Sequence, residues 1–417
     1  MDASEILALE KQIRRKYMEE ARKELERRLQ EAANAVPVAD KFGAKLTHRE
    51  RTKMQVRSCF GKLELDVVGG YSALEKRSLT PAREALFGGV RGAMTPLLVR
   101  NVAHAGLQAG SFEKGVQLCA DWGVTISDDK LMDTIRRVGA SCRRERLPAL
   151  CDEAAGPGDD LVLMGDGWNA RHRGPRWGNK KAPKEERIEW KDIKCGLVFK
   201  MAHVVPAGTK RKALLHKQVV AVAADAGPEV FGAELEAEAV RMGLYKAGKV
   251  YFVSDGGVYL WNIYEERFTA VAEGTLDYYH AMQHLGEAAG VLIADENERE
   301  SWLAKMRAKV KKNGGADLHE TLSGMLKREK LSNEAQKTAE REIKYFENHK
   351  EHMDYAKRNK EGRPIGSGAV ESLCGQFQDR LKRRGQFWSR TGFAATLRAY
   401  VWFLNGELDY AIAPSAA

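Results

Sequence analysis

Two short apolar runs, residues 161–164 and 250–254, each lead into an aspartate beside glycine: Asp166 in LVLMGDG and Asp255 in VYFVSDGG. Runs of this length read as buried strands. In an open α/β sheet the crevice beyond the strand ends is where ligands bind, and flanking glycines let a bulky group approach the backbone. Asp-Gly between apolar stretches is also a common turn signal, and either pair taken alone reads as a turn. The same arrangement on two strands of one α/β unit points instead to paired metal ligands.

The sequence around these runs supplies the rest of a sheet. Residues 193–205 and 217–224 read as further strands. Residues 229–246 read as a helix with Val230, Leu235, Ala239, Met242 and Leu244 as its apolar contacts. Strand-type residues 268–271 and a helix from about Tyr278 follow. Three strands, a helix, then alternation is the order of an RNase H-like mixed sheet, so the expected class is α/β. Residues 295–359 are helical by pattern and highly charged, with Trp302, Leu303, Met306, Leu322, Met325, Leu326, Ile343 and Phe346 as apolar contacts. They read as an all-helical insertion. Gly366-Ser367-Gly368 then opens the final amphipathic helices through Val370, Leu373, Phe377 and Leu381.

Ahead of a linker at 154–160 (AAGPGDD), the chain is mainly helical. In residues 3–33, Ile6, Leu9, Ile13, Tyr17, Ala21, Leu25 and Leu29 recur every three or four positions, the spacing of an amphipathic helix. Its balanced charge excludes a basic DNA-binding arm and suits packing on the body or on a partner copy. Residues 51–68 switch to period two, with Met54, Val56, Leu63, Leu65 and Val67 around Cys59-Phe60-Gly61, which predicts a hairpin. Ser111 and Ser127 can each cap a short helix, with Trp122-Gly123 between them, the pattern of a helix-turn-helix. Arg136, Arg137, Arg143 and Arg144 lie on or after the second helix, while Asp128 and Asp129 at its start are awkward for an element that reads bases. The expected division is 1–48, helix and linker; 49–153, hairpin and helix-turn-helix-like DNA-binding region; 154–294, first part of the core; 295–359, insertion; and 360–410, final helices.

A third acid, Glu371 in GRPIGSGAVES, opens those last helices. With Gly368 as N-cap it falls at N3, the place of a capping-box glutamate, although Pro364 and three small residues would also aim the helix start sharply. Three converging carboxylates suit Mg²⁺ or Mn²⁺, and two such ions ~3.5–4 Å apart serve in-line phosphoryl transfer. His280 and His284 share a helix face, but the HExxH glutamate of a zinc pair is missing between them, so a satisfied helix-start histidine is the default.

Basic residues gather near two of the acids. Arg171, His172, Arg173, Arg176, Lys180, Lys181, Lys184 and Arg187 follow Asp166, interleaved with Trp168 and Trp177. Arg380, Lys382, Arg383, Arg384, Trp388 and Arg390 follow Glu371. A charge run is usually a solvated face, but mixed with tryptophan beside carboxylates it fits phosphate tracking and base stacking. The whole chain agrees: Lys plus Arg exceeds Asp plus Glu by 68 − 58 = +10, which suits a polyanionic partner. No apolar run approaches the ~18 residues of a membrane helix, the N-terminus does not read as a signal peptide, and six scattered cysteines form no C-x-x-C pair. The expected setting is the cytoplasm, at the nucleoid.

The segments MGDGWNARHR, VSDGGVYLW, LDYYHAMQHL and GRPIGSGAVESLCGQFQDRLKRRGQFWS resemble bacterial insertion-sequence transposases of the ISKra type, relatives of the Mutator-like DDE transposases. The resemblance implies that Asp166, Asp255 and Glu371 form a DDE triad holding two Mg²⁺ (or Mn²⁺) ions, and that Asp277-x-x-His280 is the C/D-x-x-H motif of that superfamily. His280, Arg171, Arg173, Arg380, Lys382, Arg383, Arg384 and Trp388 would face DNA. The implied partners are double-stranded DNA, as element ends and target, and at least one further copy of the chain. Many relatives carry a cysteine-rich, zinc-binding-like stretch where this chain reads Gly69-Gly70-Tyr71-Ser72-Ala73. The rival readings are an RNase H-like nuclease without strand transfer and a non-catalytic DNA-binding descendant.

Overall fold

The computed structural model describes residues 1–88, 92–209, 211–328 and 330–413, and they divide into two compact units. The first unit comprises Met1–Ser141 and the chain end from Leu408. Helix α1 (Ala3–Ala35) starts at a capping box in which the Asp2 carboxylate accepts from the Ser4 and Glu5 amides and Glu5 reaches back to the Asp2 N–H. Strands β1 (Thr47–Ser58) and β2 (Gly61–Ser72) form the expected hairpin, and β3 (Arg77–Leu79) extends it. The period-two pattern does what it predicts: Met54, Val56, Leu63, Leu65 and Val67 are buried, and Leu25 and Leu29 of α1 pack on them. The first half of α1 is different, since Ile6, Leu7, Leu9, Ile13 and Tyr17 are exposed.

Helices α2 (Pro81–Phe87), α3 (Pro96–Gln108), α4 (Phe112–Asp121) and α5 (Asp128–Ser141) follow. Ser111 and Ser127 cap α4 and α5 as their positions suggested, accepting from the Lys114 and Lys130 amides. Leu98, Val102, Leu107, Leu131 and Ile135 are buried within this unit.

The second unit, Cys142–Glu407, is built on a mixed sheet. Strands β4 (Asp160–Arg173) and β5 (Ile188–Lys200), with the one-turn helix α6 (Lys184–Arg187) between them, pair antiparallel. A small ribbon, β6 (Val204–Pro206) with β7 (Lys212–Leu214), precedes β8 (Gln218–Val222), which pairs antiparallel with β5. Helix α7 (Gly227–Arg241) crosses back to β9 (Lys249–Ser254), parallel to β4. Helix α8 (Val258–Ile263) then leads to β10 (Glu273–Leu276), parallel to β9. The spatial order is β10-β9-β4-β5-β8. Helices α9 (Tyr278–Leu292), α10 (Glu296–Asn313), α11 (Leu318–Leu326), α12 (Asn333–His349) and α13 (Tyr355–Lys360) come next. The unit closes with α14 (Gly368–Leu381) and α15 (Arg390–Leu404), and α16 (Leu408–Ile412) belongs to the first unit. Among the described residues no helix is long and apolar enough to cross a membrane.

Three local expectations are corrected. Gly165-Asp166-Gly167 does not end a strand: β4 runs straight through it, with Trp168, Ala170 and His172 buried beyond. These glycines serve close packing. A Cβ on Gly165 would lie 2.6 Å from Leu260 Cδ2, and one on the facing Gly196 would lie 2.7 Å from the Met164 carbonyl oxygen. Residues 193–205 are not one strand but the end of β5, a 3₁₀ turn at Met201–His203 and β6. Residues 268–271 are not strand either, because a π-helical turn (Tyr264–Phe268) buries Phe268 against Phe252, and β10 starts at Glu273. A short apolar run cannot by itself separate a strand from a buried helical turn.

Gly196→Ala is expected to destabilise the second unit by roughly 1–3 kcal/mol, since the atom in the way is backbone and cannot swing aside. Urea unfolding against the wild type measures it.

Candidate active site

The register of the parallel strands brings the two aspartates together. Met164 of β4 lies level with Val253 of β9, the last pair of that ladder, and two residues beyond it in each chain come Asp166 and Asp255, near enough for the charge of the second to act on the first. Asp166 is on a strand and Asp255 is just past the end of one. The Gly167 amide donates to Asp166 Oδ1 at 2.6 Å, and the Gly257 amide donates to Asp255 Oδ1 at 3.0 Å. Between them Gly256 takes φ 93°, and a Cβ there would lie 2.6 Å from the Tyr345 ring. The Tyr345 hydroxyl donates to the Asp255 carbonyl at 3.1 Å.

Glu371 enters from α14. The N-cap is Ser367, not Gly368, so Glu371 is the fourth helical residue and not a capping-box partner. Its carboxylate is left free to face the site, with His280 Nε2 3.4 Å and the Ser367 hydroxyl 3.2 Å from its Oε1. Three residues on, along the same helix face, the Cys374 thiol lies 3.2 Å from Asp166 Oδ2, which ties this face of α14 to β4. Cys374 Sγ is in turn 3.3 Å from Cys195 Sγ, on the residue opposite Asp166 in β5.

Asp277 sets where α14 begins. It is fully buried and caps α9 by accepting from the His280 amide at 2.9 Å. Its other oxygen takes the Ser367 amide and the Ser367 hydroxyl, the latter at 2.6 Å. Asp277 and His280 thus work on one object: the first holds the start of α14 and the second meets Glu371. His284, one turn on, faces elsewhere, 2.6 Å from the buried Glu342 carboxylate and stacked on Tyr345. The two histidines do not share a ligand position.

Burial pushes the Asp166 carboxyl above the usual aspartate range, and repulsion from Asp255 and Glu371 adds to it, against the pull of the Gly167 amide and the Cys374 thiol. The Tyr259 hydroxyl is likewise raised by burial and by Asp192, Asp255 and Asp166. A Cβ on Gly167 would lie 3.0 Å from Asp192 Oδ1 and 3.3 Å from the Tyr259 hydroxyl. Sequence reasoning passed over Tyr259, Asp192, Tyr345 and Cys374, because nothing in their local sequence marks them. They become neighbours of the acids only through strand pairing and helix packing.

The extension of β4 also joins the two basic runs. The Trp388 amide donates to the Arg171 carbonyl at 3.1 Å and the Arg173 amide to the Trp388 carbonyl at 2.8 Å. The Arg171 side chain donates to the Lys382 and Arg383 carbonyls and lies over Phe387 and Trp190. Arg173 donates to the Phe387 carbonyl and lies over Trp177. These two arginines strap the segment after α14 to β4, Arg171 half-buried and Arg173 still exposed. Arg380 is corrected outright. It is 2% exposed, and burial lowers its pKa to about 10, so it belongs to the core of α14. Trp388 is buried too, its indole N–H donating to the Leu381 carbonyl at 2.8 Å. Lys382 keeps its ammonium over Trp190, and Arg383 and Arg384 are exposed. Trp177 and Trp190 are the exposed tryptophans of this face, at 42% and 58%, while Trp168 is buried against Phe377. Trp190 had gone unnoticed because a lone tryptophan among charges on a strand carries no motif.

Residues 243–412 match the model of an uncharacterised protein family (UPF0236). The match includes Asp255, Asp277, His280 and Glu371 and leaves out Asp166. No curated protein matches the chain.

Because the folded pKa of Asp166 is raised, its ionisation weakens the fold. That penalty is absent below the ordinary value of 3.8 and sets in as pH rises through it toward the folded value. In metal-free protein at neutral pH, Asp166→Asn is expected to melt above the wild type, with the gap closing as pH falls toward the ordinary value. Calorimetric melting across pH tests this.

Proposed function

We propose that this chain is a DDE-type transposase whose second unit is an RNase H-like catalytic domain interrupted by helices α10 to α13. The observation that carries the reading is the approach of Asp255 and Glu371 to Asp166, whose carboxyl feels both charges, with the aspartates set by the register of two parallel strands and Glu371 by the Asp277–Ser367 contact at the start of α14. The strand order β10-β9-β4-β5-β8, three antiparallel strands followed by two parallel ones, supports the fold part of it.

Three carboxylates form a hard-oxygen donor set that fits Mg²⁺ or Mn²⁺, and the repulsion from Asp255 and Glu371 that adds to the effect of burial on Asp166 is the kind a divalent cation would relieve. Asp166, Asp255 and Glu371 would hold two ions, which supply an activated attacking oxygen and stabilise the leaving one. The chain's own part is placement. His280 orients Glu371, Asp277 fixes the helix that carries it, and the half-buried Lys382 and the exposed Arg383 and Arg384, with Trp177 and Trp190, hold the DNA backbone and unpaired bases. Hydrolysis at an element end releases a 3′-OH, which then attacks target DNA without a covalent enzyme intermediate. Helices α4 and α5, with their serine caps, are the part of the first unit we assign to terminal-repeat binding. The setting is the nucleoid.

Glu371→Gln, Asp166→Asn and Asp255→Asn are each expected to abolish Mg²⁺-dependent cleavage of candidate element ends while DNA binding survives or tightens, since each removes a negative charge near a phosphate. Loss of Lys382 or Arg384 should flatten the log K against log[salt] slope by ~0.9 per phosphate contact. Arg380→Ala should instead lower stability and leave the slope alone. Cleavage retained by folded Glu371→Gln rejects the triad, and cleavage without 3′-OH joining reduces the reading to a nuclease.

The exposed apolar stripe on the first half of α1, Ile6, Leu9, Ile13 and Tyr17, supports self-association. Light scattering is expected to give a dimer or larger for the full chain and a monomer once residues 1–20 are removed. Equal masses reject it.

A further inference from the structure

Met164 precedes Asp166 by two residues on β4, and side chains two apart on a strand share one face of the sheet. On that face Met164 lines a cavity of about 610 Å³, which α14 borders with Ala369, Ser372 and Gln376. Phe199 and Ile365 make further apolar wall. Such a volume is within the ~300–1,000 Å³ of small-ligand sites.

The charge of the lining is one-sided. Lys212, Lys217 and Arg363 line the cavity, and among the described residues no carboxylate does. Arg363 is already committed to Glu273 and Glu361. The two lysines differ from it, since neither has an ion pair among the described residues. Lys212 is exposed. Lys217 is half-buried, with the Gln376 side-chain oxygen 3.5 Å from its ammonium. Burial draws that ammonium below the usual lysine range, and no neighbouring carboxylate opposes the effect. A cation partly stripped of water and left without a counter-charge is unfavourable, and an anion beside it relieves the cost.

The lining also offers an aromatic surface. Tyr279 borders the cavity and is 68% exposed. Its ring rests on the turn ahead of α14, where a Cβ on Gly366 would lie 2.9 Å from it. The next residue, His280, is the one that meets Glu371. The exposed ring, the two lysines and the catalytic helix therefore surround one space.

We infer that this cavity holds one unpaired nucleotide of the DNA strand at the catalytic acids, its base on the Tyr279 ring and its phosphates on Lys212 and Lys217. A base stacks on an aromatic ring and a phosphate supplies the counter-charge, so a nucleotide answers both halves of the lining. The inference rests on the nucleic-acid part of the proposed function and not on its metal triad.

The probe is a fluorescein-labelled single-stranded hexathymidylate, titrated into the full chain in EDTA and followed by anisotropy. Tyr279→Ala is expected to weaken binding ~10-fold with an unchanged salt slope, within the range for one base stacked on a ring. Lys217→Gln should flatten the log K against log[salt] slope by ~0.7, the share of one single-strand phosphate contact. In wild-type protein, a hexamer carrying 5-iodouracil should photocrosslink to Tyr279, as mapped by mass spectrometry, which keeps the test independent of how the variants fold. Crosslinks confined to Trp177 or Trp190, or unchanged affinity in Tyr279→Ala, overturn the base contact. An unchanged slope in Lys217→Gln overturns the phosphate contact. No anisotropy change at all rejects the DNA reading and this site with it. None of these measurements needs a metal or a cleavage event, so loss of this site and loss of the triad are read separately.

Discussion

The candidate site depends most on one buried carboxylate. Asp277 is fully buried, and a buried charge is tolerable only when hydrogen bonds satisfy it. Here three donors do so: the His280 amide, the Ser367 amide and the Ser367 hydroxyl. Its own amide donates to the Ser254 carbonyl at 2.7 Å, directly before Asp255, and the neighbouring Tyr278 amide donates to the Ile365 carbonyl at 2.8 Å. One residue thus connects the end of β9, the start of α9 and the start of α14. Withdrawing either partner would strand a buried charge or a buried amide, at a cost of ~1–3 kcal/mol or more. That cost keeps two carboxylates 116 residues apart in the chain (371 − 255) facing the same space.

The long segment between those residues returns to the sheet at defined points. Tyr345 of α12 reaches the Asp255 carbonyl, and its hydroxyl is held well above the usual phenol range by burial and by the charges of Asp255, Asp277 and Glu342. Arg358 of α13, buried, donates to Thr275 Oγ1 at 2.6 Å and to the Gly274 carbonyl at 2.7 Å on β10. Phe346, Met353 and Tyr355 join the same apolar cluster as Phe252 and Leu276. This helical segment is thus packed into the core of its unit, with Tyr345 against the backbone at Asp255.

A division of labour among cations follows from burial. Arg171, Arg358 and Arg380 spend their guanidinium groups on the protein's own carbonyls, rings and core, while Arg173 is exposed as it donates to the Phe387 carbonyl. Lys180, Lys181, Lys184, Arg383 and Arg384 remain exposed. A net charge of +10 does not distinguish the two groups. The exposed ones are open to a polyanion outside, and the buried ones are not.

The sequence by itself determined the elements whose pattern is local. The hairpin follows from alternation at Met54, Val56, Leu63, Leu65 and Val67, the caps of α4 and α5 from Ser111 and Ser127, and the three acids from apolar runs and a proline-glycine turn. Those features act over a few residues, so their physics is complete within a short window. The tertiary structure decided what depends on partners distant in the chain. It ran β4 through Gly165-Asp166-Gly167, where Leu260 leaves no room for a Cβ on Gly165 and the Met164 carbonyl leaves none on the facing Gly196. It moved the α14 cap from Gly368 to Ser367, where the backbone meets Asp277. It buried Arg380 and Trp388 while exposing Trp190. A side chain's charge or ring is written in the sequence, but its solvent exposure is set by packing, and exposure separates a residue that binds from one that holds the fold.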